Sequence, residues 1–187
     1  APVKVGWHRQ NGTTVVYYPC CWVVLMKAGV DQKGKPVAVL QSSVFPSIVS
    51  TFGPDVKSGS AAELGMCFTD TPYDIASLRV ENGEAVNHVR IGWLRSVANI
   101  YHAFAVCSFA DELAHAAGRD SKDYLLELIG PPRLVDLTAQ GVDYPNMGPI
   151  ETYPVDAGRL RKVIELVAEK SGWGKRKLPK GHALGIA

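Results

Sequence analysis

Residues 91–130 read IGWLRSVANIYHAFAVCSFADELAHAAGRDSKDYLLELIG. An apolar, strand-like entry runs to Arg95, a turn of small residues follows, and a long helical pattern then begins. Ala103, Val106, Ala110, Leu113 and Ala117 recur at steps of three and four, which predicts an amphipathic helix with a small-residue face suited to close packing. Gly118 is placed to end it in a left-handed cap. Asp120 or Ser121 can cap a second, short helix through Leu128, closed by Gly130-Pro131-Pro132. A strand, a turn and two consecutive helices are thus expected in the middle of the chain.

The turn also carries chemistry. Arg95 offers a forked guanidinium, Ser96 a hydroxyl and Asn99 a carboxamide, just ahead of the free N–H groups of a helix start. That set suits phosphate or other oxygen acceptors. The same residues would serve equally in a plain strand-turn-helix with Arg95 as a surface cation.

Toward the N-terminus, Pro2 to His8, Thr13 to Tyr18 and Cys21 to Val30 are expected as strands, the last rich in β-branched residues. Asp31-Gln32-Lys33-Gly34 is a turn signal and Pro36 to Phe45 its returning strand, which makes an antiparallel hairpin. Residues 46–72 are rich in Ser, Gly and Pro and predict a long loop with one helical turn near Ala61 to Leu64. Tyr73 to Glu81 and Ala85 to Trp93 are expected as two strands joined at Asn82-Gly83.

Toward the C-terminus, residues 133–154 carry six Gly, Pro and Asn turn formers and predict an irregular connector. Asp156 is a good N-cap for a last helix with an apolar stripe of Leu160, Val163, Ile164 and Val167, ended by Gly172. The tail LPKGHALGIA is expected to begin a further strand. Antiparallel strands first and helices grouped in the second half give the fold class α+β, a two-layer sandwich of mainly antiparallel strands. The division is a strand-rich part, 1–93, and a helix-rich part, 94–187.

At 187 residues, with 47% hydrophobic and 20% charged residues, the chain can bury a core and is not a disordered segment. The net charge of +2, with basic residues scattered apart from Lys175-Arg176-Lys177, argues against nucleic acid as a partner. Cys20, Cys21, Cys67 and Cys107 show no C-x-x-C pair and no His at metal spacing, and His8, His88, His102, His115 and His182 are dispersed, so no metal ligand is assigned. The histidines are expected on the surface or on helix faces. Trp7, Trp22, Trp93 and Trp173 are expected in the core or against a neighbouring domain. Nothing reaches the roughly 20 apolar residues needed to cross a bilayer, and a soluble chain is expected.

Several stretches, in order along the chain, resemble one family. Arg95-Ser96-Val97 followed by AFAVCSFADELAHAAG, Ala103 to Gly118, is similar to the Arg-Ser-Val-Gly-like loop and AFAVESFIDELAHAAG helix of the molybdenum-binding large subunits of the xanthine dehydrogenase and aldehyde oxidase family. The likeness is to its branch of isoquinoline 1-oxidoreductase beta subunits and membrane-bound aldehyde dehydrogenases. The opening APVKVGWHR looks like that branch's PVKLVWTRED, Tyr17-Tyr18-Pro19 like its FYRP, and Lys27 to Gly34 like its RAGLDADGR. Asp156 to Ala187 looks like its DxxRLRxVLELAAEKAGWG and LPKGxGxGIA.

The resemblance implies an aldehyde or N-heterocycle oxidoreductase using molybdenum on a molybdopterin cytosine dinucleotide. It implies a [2Fe-2S] small subunit and a cytochrome c as electron-transfer partners, and a periplasmic or membrane-associated setting. It also implies that this chain is an internal fragment, one wall of the cofactor site. The family's glycine-rich loop would precede residue 1 and its Gly-x-Gly-Glu segment, with the catalytic base, would follow residue 187. No catalytic residue is therefore assigned here, and the chain alone is expected to be inactive, to hold no cofactor and to self-associate through surfaces that would meet missing domains. Glu63, Glu81, Glu84, Glu112, Glu127, Glu151, Glu165 and Glu169 are read as surface or helix-face charges. The cofactor-side residues implied are Arg95, Ser96 and Val97. Ala98 departs from the family's glycine, which allows closer backbone approach. Val97 stands where xanthine oxidases carry an aromatic substrate clamp. The competing reading is a free-standing α+β binding or assembly module without redox activity.

Overall fold

The computed structural model describes residues 2–15, 17–53, 55–138, 142, 149 and 151–187. Two strands, β1 (Val23–Val30) and β2 (Pro36–Val44), form the expected hairpin, in register from Val23 opposite Val44 to Val30 opposite Pro36. Its turn is held by Asp31, whose carboxylate accepts from the Lys33 and Lys35 amides at 2.8 and 2.9 Å. Gly34 takes φ +77°, and a Cβ there would lie 2.7 Å from that of Ala117, so glycine answers both a backbone and a packing demand.

β3 (Ser77–Gly83) does not form the expected hairpin through Asn82-Gly83. It pairs with β2 in parallel, giving a three-stranded sheet ordered β1-β2-β3. Asn82 explains the difference: its side chain accepts from the Gly59 amide at 2.6 Å and donates to the Ser43 carbonyl at 3.2 Å. A residue with turn propensity is thereby used to tie the crossover loop to the strand. That crossover contains a 3-10 turn, Ile48–Thr51, and the expected single helical turn α2 (Ala61–Leu64). The 85–93 stretch forms no strand; Ile91 alone makes a parallel bridge to Tyr18.

Residues 2–8 are not strand, and Arg9–Val15 forms a short helix, α1, instead of entering a strand at Thr13. Local bonds decide it, with the Gly12 amide on the His8 carbonyl and the His8 amide on the Asn11 side chain, both at 3.2 Å. A β-branched run extends only where a second strand completes its ladder.

The long helix α3 (Asn99–Ala116) lies over the inner face of the sheet, and α4 (Ser121–Ile129) packs beside it. Its buried stripe is Ala98, Tyr101, His102, Ala105, Val106, Ala110 and Ala114. This is rotated from the predicted one: Val106 and Ala110 are shared, while Ala103, Leu113 and Ala117 are only half-buried. The rotation arises because α3 serves two neighbours. Ala105 and Val106 meet Val24, Met26, Phe68 and Val80 on the sheet side, whereas Ala110 and Ala114 meet Tyr124 and Leu128 of α4. The Tyr124 hydroxyl donates to the Gly34 carbonyl at 2.7 Å, joining α4 to the hairpin tip.

α4 is capped by Asp120 and ends at Gly130, and α5 (Ala157–Ser171) is capped by Asp156 and ends at Gly172 with φ +70°. β4 (Leu134–Val135) and β5 (Val155–Asp156) pair antiparallel at the two ends of the expected connector, of which positions 139–141, 143–148 and 150 lie outside the described residues. Leu125, Ile129, Val135, Leu137, Val142, Ala157 and Ile164 form the core that joins α4 to α5. The tail from Leu178 onward is irregular rather than the start of a strand. The fold is α+β, with a three-stranded mixed sheet, a two-stranded antiparallel pair, and the helices α3, α4 and α5 in the second half.

Candidate functional site

The segment before α3 is conformationally unusual. Ser96 and Val97 both take positive φ, +77° and +46°, outside the region that β-branched residues ordinarily occupy. Each costs on the order of 1–2 kcal/mol relative to an ordinary conformation. The turn is closed by the Val97 amide on the Leu94 carbonyl and the Asn99 amide on the Ser96 carbonyl, both at 2.9 Å. Ala98, fully buried, occupies the N-cap of α3 and supplies no side-chain cap.

Arg95 and Ser96 are exposed on this turn, and Val97 is half-buried beside them. The Arg95 guanidinium makes no hydrogen bond or ion pair among the described residues. Two clefts flank the Ile91-Gly92 segment that leads into the turn. One, of about 170 Å³, is walled by Trp22, Leu94, Val97, Ile100 and Tyr101, with Cys20 and Glu63 at its polar points. The other, of about 510 Å³, lies between Tyr17 and the packed pair Phe52 and Trp93. Gly92 separates them, and a Cβ there would fall 2.4 Å from that of Tyr17.

Glu63 corrects an expectation. It is 5% exposed, not a surface charge. Its carboxylate accepts from the Ser47 hydroxyl at 2.7 Å, the Ile48 and Ser60 amides at 2.8 Å each, and the Ser60 hydroxyl at 2.9 Å. Four donors on one carboxylate make it the tie that folds the 47–63 crossover against the cleft. Half of the arrangement was visible in sequence, since Ser60-Ala61-Ala62-Glu63 is a capping box.

The remaining polar groups of the smaller cleft are neutral. Burial raises the Cys20 thiol, although its hydrogen bond with Tyr101 acts against the shift. Burial, with Cys20 and Glu63 adding to it, also raises the Tyr101 hydroxyl. The cleft therefore offers weak neutral donors and apolar walls, not a nucleophile or a base.

His102 is likewise no surface residue, being fully buried one position further along α3. Its Nδ1 lies 2.8 Å from the Met66 carbonyl and its ring stacks on Phe68 with centroids 3.8 Å apart. Burial lowers its pKa to about 4, so near neutrality the ring is uncharged and Nδ1–H donates to Met66. Nε2 is buried without a partner among the described residues. This histidine braces the 65–70 turn, where Cys67 holds φ +75°. Among the tryptophans, Trp22 stacks on Tyr101 and Trp173 donates to Asp120 at 2.9 Å, whereas Trp7 and Trp93 are exposed. Among the described residues no group of three or more His, Cys, Asp and Glu is placed to hold a metal ion, and no helix is long and apolar enough to cross a membrane.

The structure thus brings Val97, Tyr101, Cys20 and Glu63 to one cleft and leaves Arg95 and Ser96 exposed on the turn between two of its lining residues, Leu94 and Val97. Comparison with characterised proteins places the chain beside dehydrogenase polypeptides. It is 36% identical over 118 residues to the membrane-bound aldehyde dehydrogenase [pyrroloquinoline-quinone] of Gluconacetobacter polyoxogenes, a match covering 62% of this chain and 14% of that protein. It is 36% identical over 94 residues to one subunit of the nicotinate dehydrogenase of Pseudomonas putida, covering 48% and 8%. The chain therefore spans only a small part of the curated relatives it matches, and its link to them is at the level of oxidoreductases. No protein-family model matches it.

Proposed function

We propose that residues 1–187 form one wall of the cofactor site in the large subunit of a molybdenum hydroxylase, an oxidoreductase of aldehydes or N-heterocycles. The observation that carries this reading is the turn at 95–97. A guanidinium unpaired among the described residues and an exposed hydroxyl stand on a backbone forced into two left-handed residues, directly ahead of a helix start without a side-chain cap. Strain of this kind persists where function requires a particular geometry. The donors fit the oxygen-rich phosphates of a pterin dinucleotide, and Arg95 and Ser96 are the residues that would hold it.

When bound in the complete protein, that group supplies the redox chemistry. The part of this chain is to bind and to shape: Arg95 and Ser96 donate from the exposed turn, and Val97 with Leu94 and Ile100 gives the smaller cleft an apolar wall. No residue of the chain is given a catalytic role, since Cys20 and Tyr101 are held neutral and Glu63 is saturated with donors. Exposed large side chains, among them Trp7, Phe52, Trp93 and Phe104, support a place within a larger domain, as does the chain's small share of its relatives. The partners proposed are a [2Fe-2S] small subunit and a cytochrome c; that the nicotinate dehydrogenase relative is itself one subunit of its enzyme is compatible with such an assembly.

The test is metal and cofactor analysis of the full-length product co-expressed with its iron–sulfur partner. Molybdenum and releasable pterin in near-stoichiometric amount are expected, and Arg95→Ala is expected to lower both at least tenfold with expression unchanged. A quinone without molybdenum, in keeping with the name of the aldehyde dehydrogenase relative, would overturn the reading. So would a natural reading frame that carries neither a glycine-rich loop nor a Gly-x-Gly-Glu segment, which would favour the free-standing module.

A further inference from the structure

The helix α5 has more apolar surface than the fold uses. Ala157, Ile164 and Ala168 are buried against the rest of the core. Leu160, Val163, Leu166 and Val167 are not: they are 37%, 58%, 51% and 51% exposed. Spaced at three and four residues, these four form a second apolar stripe on the same helix, turned to solvent.

Cations outnumber acids around the stripe, although the exposed Asp156 stands four residues before Leu160 at its N-terminal end. Arg159 is four residues before Val163 and Lys170 four after Leu166, so exposed cations stand at both ends of the stripe on its own side. Beyond Gly172 come Lys175, Arg176, Lys177 and Lys180, all exposed, and from Lys170 to Ala187 the chain carries no Asp or Glu. The basic segment leaves α5 through a tight turn: the Lys175 and Arg176 amides bond the Gly172 carbonyl at 3.0 and 3.2 Å, and a Cβ on Gly172 would lie 3.1 Å from Arg176 Cγ. Of the acidic residues within the helix, Glu165 lies away from the stripe, where Arg161 approaches it at 3.9 Å, while the exposed Glu169, three residues after Leu166, borders it. An apolar stripe with cations at both ends and a basic cluster at one end is complementary to an anionic lipid surface, where the side chains enter the acyl boundary and the cations meet headgroups.

We propose that α5 and residues 172–180 dock on an anionic lipid bilayer, with the helix lying in the plane of the interface. The inference is independent of the cofactor reading. It requires no spanning segment, in keeping with the absence of a helix able to cross a membrane among the described residues.

Co-sedimentation of the chain with vesicles tests it, with a vesicle-free control to subtract self-association. Vesicles of phosphatidylcholine with roughly one third phosphatidylglycerol are expected to bind at least tenfold more tightly than phosphatidylcholine alone. The difference should collapse between about 0.05 M and about 0.5 M salt as the charges are screened. Lys175→Ala with Lys177→Ala is expected to weaken binding roughly thirtyfold, each cation counting about fivefold. Val163→Asp with Leu166→Asp is expected to abolish it; both positions are exposed, so far-ultraviolet circular dichroism should not change. The proposal is overturned by equal binding to neutral and anionic vesicles, or by no vesicle binding. It is overturned too if the aspartate pair binds as well as the parent, or if the stripe proves to hold two copies together in solution without lipid. Binding to an oligonucleotide but not to vesicles would equally refute it.

Discussion

His102 shows how far one residue's surroundings can depart from its sequence context. On a helical wheel it is a polar position of a long amphipathic helix; in the fold it is enclosed by Phe45, Phe68 and Tyr101. Its proton is held only below about 4 in the folded chain, against 6.5 as the reference value. The unfolded chain therefore takes up a proton between those values that the folded chain refuses. Stability from this residue is complete above about pH 6.5, declines as the pH falls through that window and levels off below about 4. The loss is on the order of 3 kcal/mol. Urea unfolding followed at neutral pH and near the bottom of the window should show it in the parent and not in His102→Gln; equal pH dependence in both would show that other groups carry the acid limb. Glu63 teaches the same lesson, for its neighbours Ser47 and Ile48 come from the far side of a loop whose closure no local pattern announces.

At the level of elements, what sequence reveals depends on whether an element is decided locally. The ends of α4 and α5, the turn of α2 and the β1–β2 hairpin were legible because caps and turn residues act within a few positions. The parallel pairing of β3 was not, because its partner is separated from it by the whole crossover and Asn82 signals a turn it does not make. Of the candidate site, Arg95 and Ser96 could be singled out from residue type and order, and Val97 only through the family resemblance. Cys20 and Tyr101 could not, since their meeting depends on how α3 is rotated over the sheet. The contact between Gly34 and α3 is a second long-range product of that rotation. Gly34→Ala should destabilise the protein by about 2–4 kcal/mol, combining a left-handed alanine with overpacking against Ala117. Tyr124→Phe, which removes only the hydroxyl bond to the same residue, should cost about 1 kcal/mol. Thermal denaturation of the two variants gives the comparison, and an alanine variant as stable as the phenylalanine one would mean that the hairpin tip moves aside freely.

For the molecule as a whole, the distribution of apolar surface is the notable property. Trp7 and Val5 lie exposed near one end of the chain, Phe52 and Trp93 at the larger cleft, Phe104 on α3 and four residues on α5. Isolated exposures are ordinary, but several large ones on one molecule, two of them lining a cleft, mark surfaces that expect a neighbour. The chain expressed alone should associate reversibly with concentration in light scattering, and Trp93→Ser with Phe104→Ser should reduce that association without altering the circular dichroism spectrum. A monomer at every accessible concentration would show that these side chains need no cover.

The Tyr124 hydroxyl bond to Gly34 couples parts of the chain that are far apart in sequence. The β1–β2 hairpin and the α3–α4 pair share that bond and the Gly34–Ala117 approach, so separating the two breaks both contacts. If these contacts couple the strand-rich and helix-rich parts into one cooperative unit, the slowest amide protons of β1–β2 and of α3–α4 should exchange at a common rate, that of global rather than local opening.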